Sequence, residues 1–125
     1  MAVTIIPVLY RDHADNRWYG EVQLDGEISD DERAAIRASL LEGKYYAPVQ
    51  IGLSHCGQGE VAAFPGLDDH GFHEMDLDNI TIEENLFARA STSVSAADDG
   101  GTVHEFLARV KTAAVAGWQP MLPAC

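Results

Sequence analysis

The chain begins with an apolar, largely β-branched run, VTIIPVLY at positions 3 to 10, and then alternates: Trp18, Val22 and Leu24 fall at even positions, Tyr19, Glu21 and Gln23 at odd ones. Both patterns are those of strands, and the polar RDHADN between them predicts a hairpin. Pro7 has no N–H to donate and so predicts an edge position or a bulge in the first strand.

The period then changes. Ser29 followed three residues later by Glu32 is a capping box, in which each side chain satisfies the other residue's orphan N–H. Asp30, Asp31 and Glu32 complement the positive end of a helix dipole, Ile36 and Leu40 supply an apolar stripe, and Gly43-Lys44 closes the element, predicting a helix over residues 30 to 42. Pro48 biases Ala47 away from helix, so YYAPVQIGLSHCGQG reads as an extended arm with a short strand. EVAAFPGL predicts another short strand, ending at the turn dipeptide Pro65-Gly66.

HEMDLDNITIEE alternates through Met75 and Leu77, then Ile80 and Ile82, and the shifted phase predicts a bulge or turn at Asp78-Asn79. NLFARASTSVS can form a partner strand, and SAADDGG reads as a polar turn. A second capping box, Thr102 to Glu105, opens a last helix that carries Val103, Phe106, Leu107, Val110 and Ala114 and ends at Gly117. The tail, WQPMLPAC, is irregular and packs through Trp118. The expected fold is α+β: an antiparallel sheet of four to six strands with two helices on one face, in the order ββα then ββ(β)α. Residues 1–125 are one domain's worth of chain, and the two halves share architecture without sharing sequence beyond the capping boxes.

Charge changes this picture from fold toward function. Twenty Asp and Glu stand against eight Lys and Arg, a net charge of -12. Such a surface repels phosphate backbones and anionic headgroups, so direct nucleic-acid or membrane binding is disfavoured. No Lys or Arg occurs between Lys44 and Arg89, whereas that interval holds Glu60, Asp68, Asp69, Glu74, Asp76, Asp78, Glu83 and Glu84. If these share a face, they make a field attractive to a basic protein; acidity that only aids solubility is the plainer alternative. Two cysteines, Cys56 and Cys125, make no disulfide framework, and no apolar run approaches the about 20 residues of a membrane span, so the expected compartment is the cytoplasm.

The densest cluster of reactive types is GLDDHGFHEMD, residues 66 to 76. His70 and His73 with Asp68, Asp69, Glu74 and either His55 or Cys56 could ligate zinc, but the order is H-x-x-H-E rather than H-E-x-x-H, and Gly71 interrupts any helix that would align the imidazoles. The plainer expectation is packing histidines bonded to neighbouring carboxylates or carbonyls. Ser54-His55-Cys56 lacks a nucleophile elbow or a cysteine-protease context, and no glycine-rich phosphate loop is present. No cofactor and no catalytic residue is implied. The aromatic pairs Tyr45-Tyr46 and Trp18-Tyr19, with Phe72, lie close in sequence to acidic residues, as interface anchors do, although one of each adjacent pair on a strand must face inward.

YYAPVQIGL followed by DDHGFHEMD resembles a loose pattern in small bacterial proteins, an aromatic pair, a proline, Q-[IV]-G-L, then D-D-H-x-x-H-E and a C-terminal helix near a Trp; it implies no activity. The acidic α+β character resembles in type the toxin-immunity and phage-encoded anti-defence proteins, including anti-CRISPR proteins, and carries over no functional residue. The expected function is a small, non-enzymatic binding protein that occludes a basic surface of a protein partner through Asp68, Asp69, Phe72, Glu74, Asp76, Asp78, Tyr45 and Tyr46. A second acidic patch is expected from Asp25 to Glu32. The alternatives are a metal-binding protein or metal-dependent enzyme using His70, His73 and Cys56, and a homodimer made through a self-pairing sheet edge.

Overall fold

The expected hairpin forms as β1 (Val3–Arg11) and β2 (Arg17–Asp25), in register from Val3 opposite Asp25 to Arg11 opposite Arg17. The computed structural model describes residues 2–15, 17–53, 70–84 and 96–119. Even-numbered residues Ile6, Val8, Tyr10, Val22 and Leu24 face one hydrophobic cluster. On the odd face the start of the sheet is covered as well: Val3, Ile5, Glu21 and Gln23 are buried, and Gln23 Nε2 donates to Glu21 Oε1 at 2.7 Å. Towards the turn the odd face opens, and Tyr19 is 57% exposed.

β1 is central rather than an edge strand. β2 lies on one side; β4 (His73–Met75) and β5 (Thr81–Glu83) lie end to end on the other, β4 opposite Val8 and Leu9, β5 opposite Val3 to Ile5. Pro7 is tolerated there because the irregularity it needs sits beside it. Its carbonyl accepts from Asp76 N at 2.9 Å, so its polar edge faces the gap between β4 and β5, where no ladder asks for the missing N–H. That gap is the turn expected at Asp78-Asn79: Asp76 accepts from Asp78 N at 3.2 Å and from Asn79 Nδ2 at 2.7 Å.

Helix α1 (Asp30–Ser39) carries the capping box as read, Glu32 N to Ser29 Oγ at 3.1 Å and Ser29 N to Glu32 Oε1 at 2.9 Å. It stops three residues before the expected 42. Leu40 turns extended to bury its side chain, and Glu42 and Gly43 follow with φ of 53° and 74°, a left-handed pair that reverses the chain into β3 (Tyr45–Tyr46). β3 pairs with β4, and a short 3-10 turn at Pro48–Ile51 follows. The expected strand in EVAAFPGL and that in NLFARASTSVS lie outside the described residues.

The segment expected as a polar turn is instead β6 (Ala96–Thr102), which pairs parallel with β2 and completes a six-stranded sheet of order β3-β4-β1-β2-β6, with β5 beside β4 on β1. The sheet is therefore mixed: its other described pairings are antiparallel, and the one parallel pair is joined through a long crossover, as parallel pairing requires. Local composition misleads because Asp and Gly signal turns, whereas here they suit an edge strand pressed on the core. A Cβ at Gly100 would lie 2.5 Å from Leu24 Cδ2 and 3.0 Å from Val22 Cγ1.

β6 runs directly into α2 (Val103–Ala116) through the second capping box, Glu105 N to Thr102 Oγ1 at 3.0 Å and Thr102 N to Glu105 Oε1 at 3.1 Å. Phe106, Val110 and Ala113 join Ile36 and Leu40 in the cluster, so both helices cover the even face. Trp118 Nε1 donates to Ser39 O at 2.8 Å, satisfying one of the carbonyls that a helix end leaves open. No described helix is long and apolar enough to cross a membrane.

Two outcomes test this packing. Gly100→Ala is expected to destabilise by about 1–3 kcal/mol in urea unfolding, the usual cost of overpacking a filled core. The Thr102 N–H, followed by the Thr102 side chain, holds the Glu105 carboxyl below its ordinary value. That contribution is present above the unfolded carboxylate pKa, about 4.3, and is lost as pH falls through the lower folded value. Wild type and Glu105→Gln should therefore differ in stability near neutrality and converge only once the pH has fallen below the lowered folded value.

Candidate functional site

The strand register carries two rows of side chains across the same four strands, one on each face. On the even face Trp18 stacks on Tyr10 with ring centroids 5.2 Å apart, Tyr10 meets His73 at 5.3 Å, and His73 meets Tyr46 edge-on at 5.8 Å. Tyr10, His73 and Tyr46 are each at most 1% exposed. Tyr46 is therefore core and offers no contact surface, because Tyr45 and Tyr46 point to opposite faces of β3 and only one can face outward.

His70 staples the approach to β4 onto the end of β1. Its N–H donates to Tyr10 Oη at 3.2 Å, its Nε2 donates to Arg11 O at 2.6 Å, and its Nδ1 accepts from Phe72 N at 3.1 Å. An acceptor at one ring nitrogen and a donor at the other define the Nε2–H tautomer. The His70 ring also meets that of His13 at 4.8 Å. His70 is engaged at both ring nitrogens, and His73 packs between two tyrosines. No group of three or more His, Cys, Asp or Glu is placed to hold a metal ion among the described residues. Cys56, Ser54 and His55 lie outside the described residues, as do Asp68 and Asp69.

The odd-face row is Tyr19, Leu9, Glu74 and Tyr45, each directly opposite the next on β2, β1, β4 and β3. This is the open part of the sheet. Two clefts meet along it and share Leu9, Lys44 and Glu74. The larger, about 520 Å³, also has Pro7, Tyr19, Asp76 and Asp78 in its walls; the smaller, about 230 Å³, has Arg11, Tyr45, His70 and Phe72. Five of the residues singled out in the sequence, Tyr45, Phe72, Glu74, Asp76 and Asp78, are thus brought together.

Leu9, Arg11, Lys44 and Arg37 were not anticipated there, and Tyr19 was read only as one of an aromatic pair near acidic residues. The alternation placed Tyr19 on an outward face, but only strand order could set it beside Glu74. The three cations moderate the acidic interval from a distance in sequence: Arg37 Nη2 lies 2.7 Å from Asp78 Oδ1, and Arg11 Nε and Lys44 Nζ lie 3.7 and 4.0 Å from the Glu74 carboxylate.

His70→Ala removes two side-chain hydrogen bonds and is expected to cost about 1–3 kcal/mol in chemical denaturation. The amide of Phe72, which donates to the ring, should lose its protection in hydrogen exchange; unchanged protection would mean that the ring does not hold this segment. No protein-family model matches the chain, and neither a curated protein nor a solved structure matches it.

Proposed function

We propose that the chain is a small acidic binding protein that occludes a basic surface of a protein partner, as an immunity or anti-defence inhibitor does. The observation that carries this reading is the open half of the odd sheet face. It combines what interfaces combine, aromatic and apolar anchors, exposed at Tyr19 and half-buried at the others, surrounded by charge. Tyr19, Leu9, Tyr45 and Phe72 would supply contact area. Glu42, Asp76 and Asp78, all exposed along the larger cleft, would supply the acidic groups that Arg and Lys of the partner meet.

The net charge of -12 acts at longer range, drawing a cationic partner in before contact. The rigidity of the row favours the same reading. Its residues stand on paired strands whose opposite face is packed core, so little side-chain or backbone freedom remains to be lost on docking.

The test is capture of a partner from the source host, followed by association kinetics of the purified pair. Reversing Glu42, Asp76 and Asp78 to Lys should slow association far more at low salt than at high salt, since steering is screened beyond about 10 Å at 0.1 M. Tyr19→Ala should instead speed dissociation with little salt dependence. A partner that is not basic, or rates that are unchanged in all these variants, would overturn the proposal.

A further inference from the structure

Some ion pairs of the described surface close tightly. Arg37 meets Asp78 at 2.7 Å and Arg33 meets Asp30 at 3.1 Å, both within hydrogen-bond reach. The smaller cleft differs. Arg11 approaches Asp15 Oδ1 at 3.6 Å and Glu74 Oε2 at 3.7 Å, both through Nε and both beyond hydrogen-bond length. Nε is the guanidinium atom that faces both carboxylates, and the guanidinium makes no hydrogen bond among the described residues. Lys44 Nζ stands 4.0 Å from Glu74 Oε1 and 5.0 Å from the centre of the Tyr45 ring, again with no hydrogen bond among the described residues.

We propose that this cleft is a binding site for a carboxylate carried on an aromatic or apolar body. Two carboxylates hold Arg11 from its Nε side, which leaves the terminal fork to accept a planar carboxylate in the bidentate manner that guanidinium favours. Lys44 supplies a second cation, held in place from Glu74. Leu9, Tyr45 and Phe72 wall a space of about 230 Å³, enough for a ring or a short aliphatic group beside the carboxylate. The His70 ring closes one side, and its nitrogens are already engaged with Arg11 O and Phe72 N, so it acts as a wall.

Charge selects the ligand further. On a chain of net charge -12 a singly charged, flat anion meets less long-range repulsion than a doubly charged phosphate, and the nearby cations act inside the screening length. The group can arrive on a free small acid or at the C-terminus of a polypeptide. The chemistry in the cleft is the same.

The test titrates the isotopically labelled protein with benzoate, benzamide and inorganic phosphate, and with acetyl-Gly-Phe as free acid and as amide. Benzoate or the peptide acid should shift the amides of Lys44, Tyr45 and Phe72 and the Arg11 Nε–H saturably, while benzamide, the peptide amide and phosphate do not. Binding by benzoate would assign a free acid; binding by the peptide acid alone would assign a C-terminus. Arg11→Gln and Lys44→Gln should each weaken binding at least about tenfold, the loss of one charge-assisted hydrogen bond. Arg11 and Lys44 side chains are 43% and 50% exposed, so both variants should keep the wild-type spectrum elsewhere. Shifts of equal size with benzamide, binding unchanged in Arg11→Gln, or no saturable shift with any acid would overturn the assignment. Neither variant alters Glu42, Asp76, Asp78 or Tyr19, so failure here leaves the occlusion reading standing, and the reverse holds.

Discussion

Tyr10 is the side chain on which the arrangement of this molecule turns. It lies fully buried where β1 gives way to the hairpin turn, stacked on Trp18 from β2, against His73 from β4, with its hydroxyl accepting the His70 N–H. β4 is three residues long and has little ladder of its own to fix its register. An aromatic ladder across β2, β1, β4 and β3 supplies that register through side-chain area, since cross-strand aromatic pairs add to what the backbone bonds provide. Because alternate residues point to opposite faces, fixing Tyr10 opposite His73 also fixes Leu9 opposite Glu74 and Glu74 opposite Tyr45. The open face is the reverse side of the buried one.

A second constraint comes from the parallel pairing of β2 and β6. Each strand leads at the same end of the sheet into a capped helix, so Asp25, Asp30 and Asp31 from the first unit and Asp99 and Glu105 from the second gather there. Glu83 joins them, since it and Asp25 both pair with Val3. The opposite end, around the hairpin turn, mixes Arg11 and Arg17 with Asp12 and Asp15. The chain's acidity is therefore unevenly distributed in space, in a way different from its distribution along the sequence. The interval without Lys or Arg is partly neutralised by Arg11, Arg37 and Lys44, which precede it in the chain and fold against it.

The two clefts divide the chemistry of the open face between them. Around the larger, Asp76 and Asp78 stand at the turn beside Pro7, so an interruption in the sheet places acidic groups next to exposed Tyr19. Around the smaller, charged groups sit just too far apart to satisfy one another. Charges held near but not in contact retain hydrogen-bonding capacity for something else, which separates a binding surface from a closed ion-pair network.

Local physics determined what short-range signals encode. The hairpin follows from alternation, both helix starts from reciprocal capping boxes, and the turn at Asp78-Asn79 from a phase shift in the apolar pattern; all lie within a few residues of sequence. Five of the site residues were legible for the same reason, as aromatics and carboxylates on alternating segments. What only the tertiary structure decided depends on partners distant in the chain. Pro7 reads as an edge or bulge residue until the β4–β5 gap is placed beside it, and SAADDGG reads as a turn until Leu24 and Val22 show why Gly100 must be glycine. Tyr46 reads as an anchor until His73 packs on it. Leu9, Tyr19 and Arg11 join Glu74 only through strand order, and strand order is set by which faces can be buried together, a property of the whole chain that no local window contains.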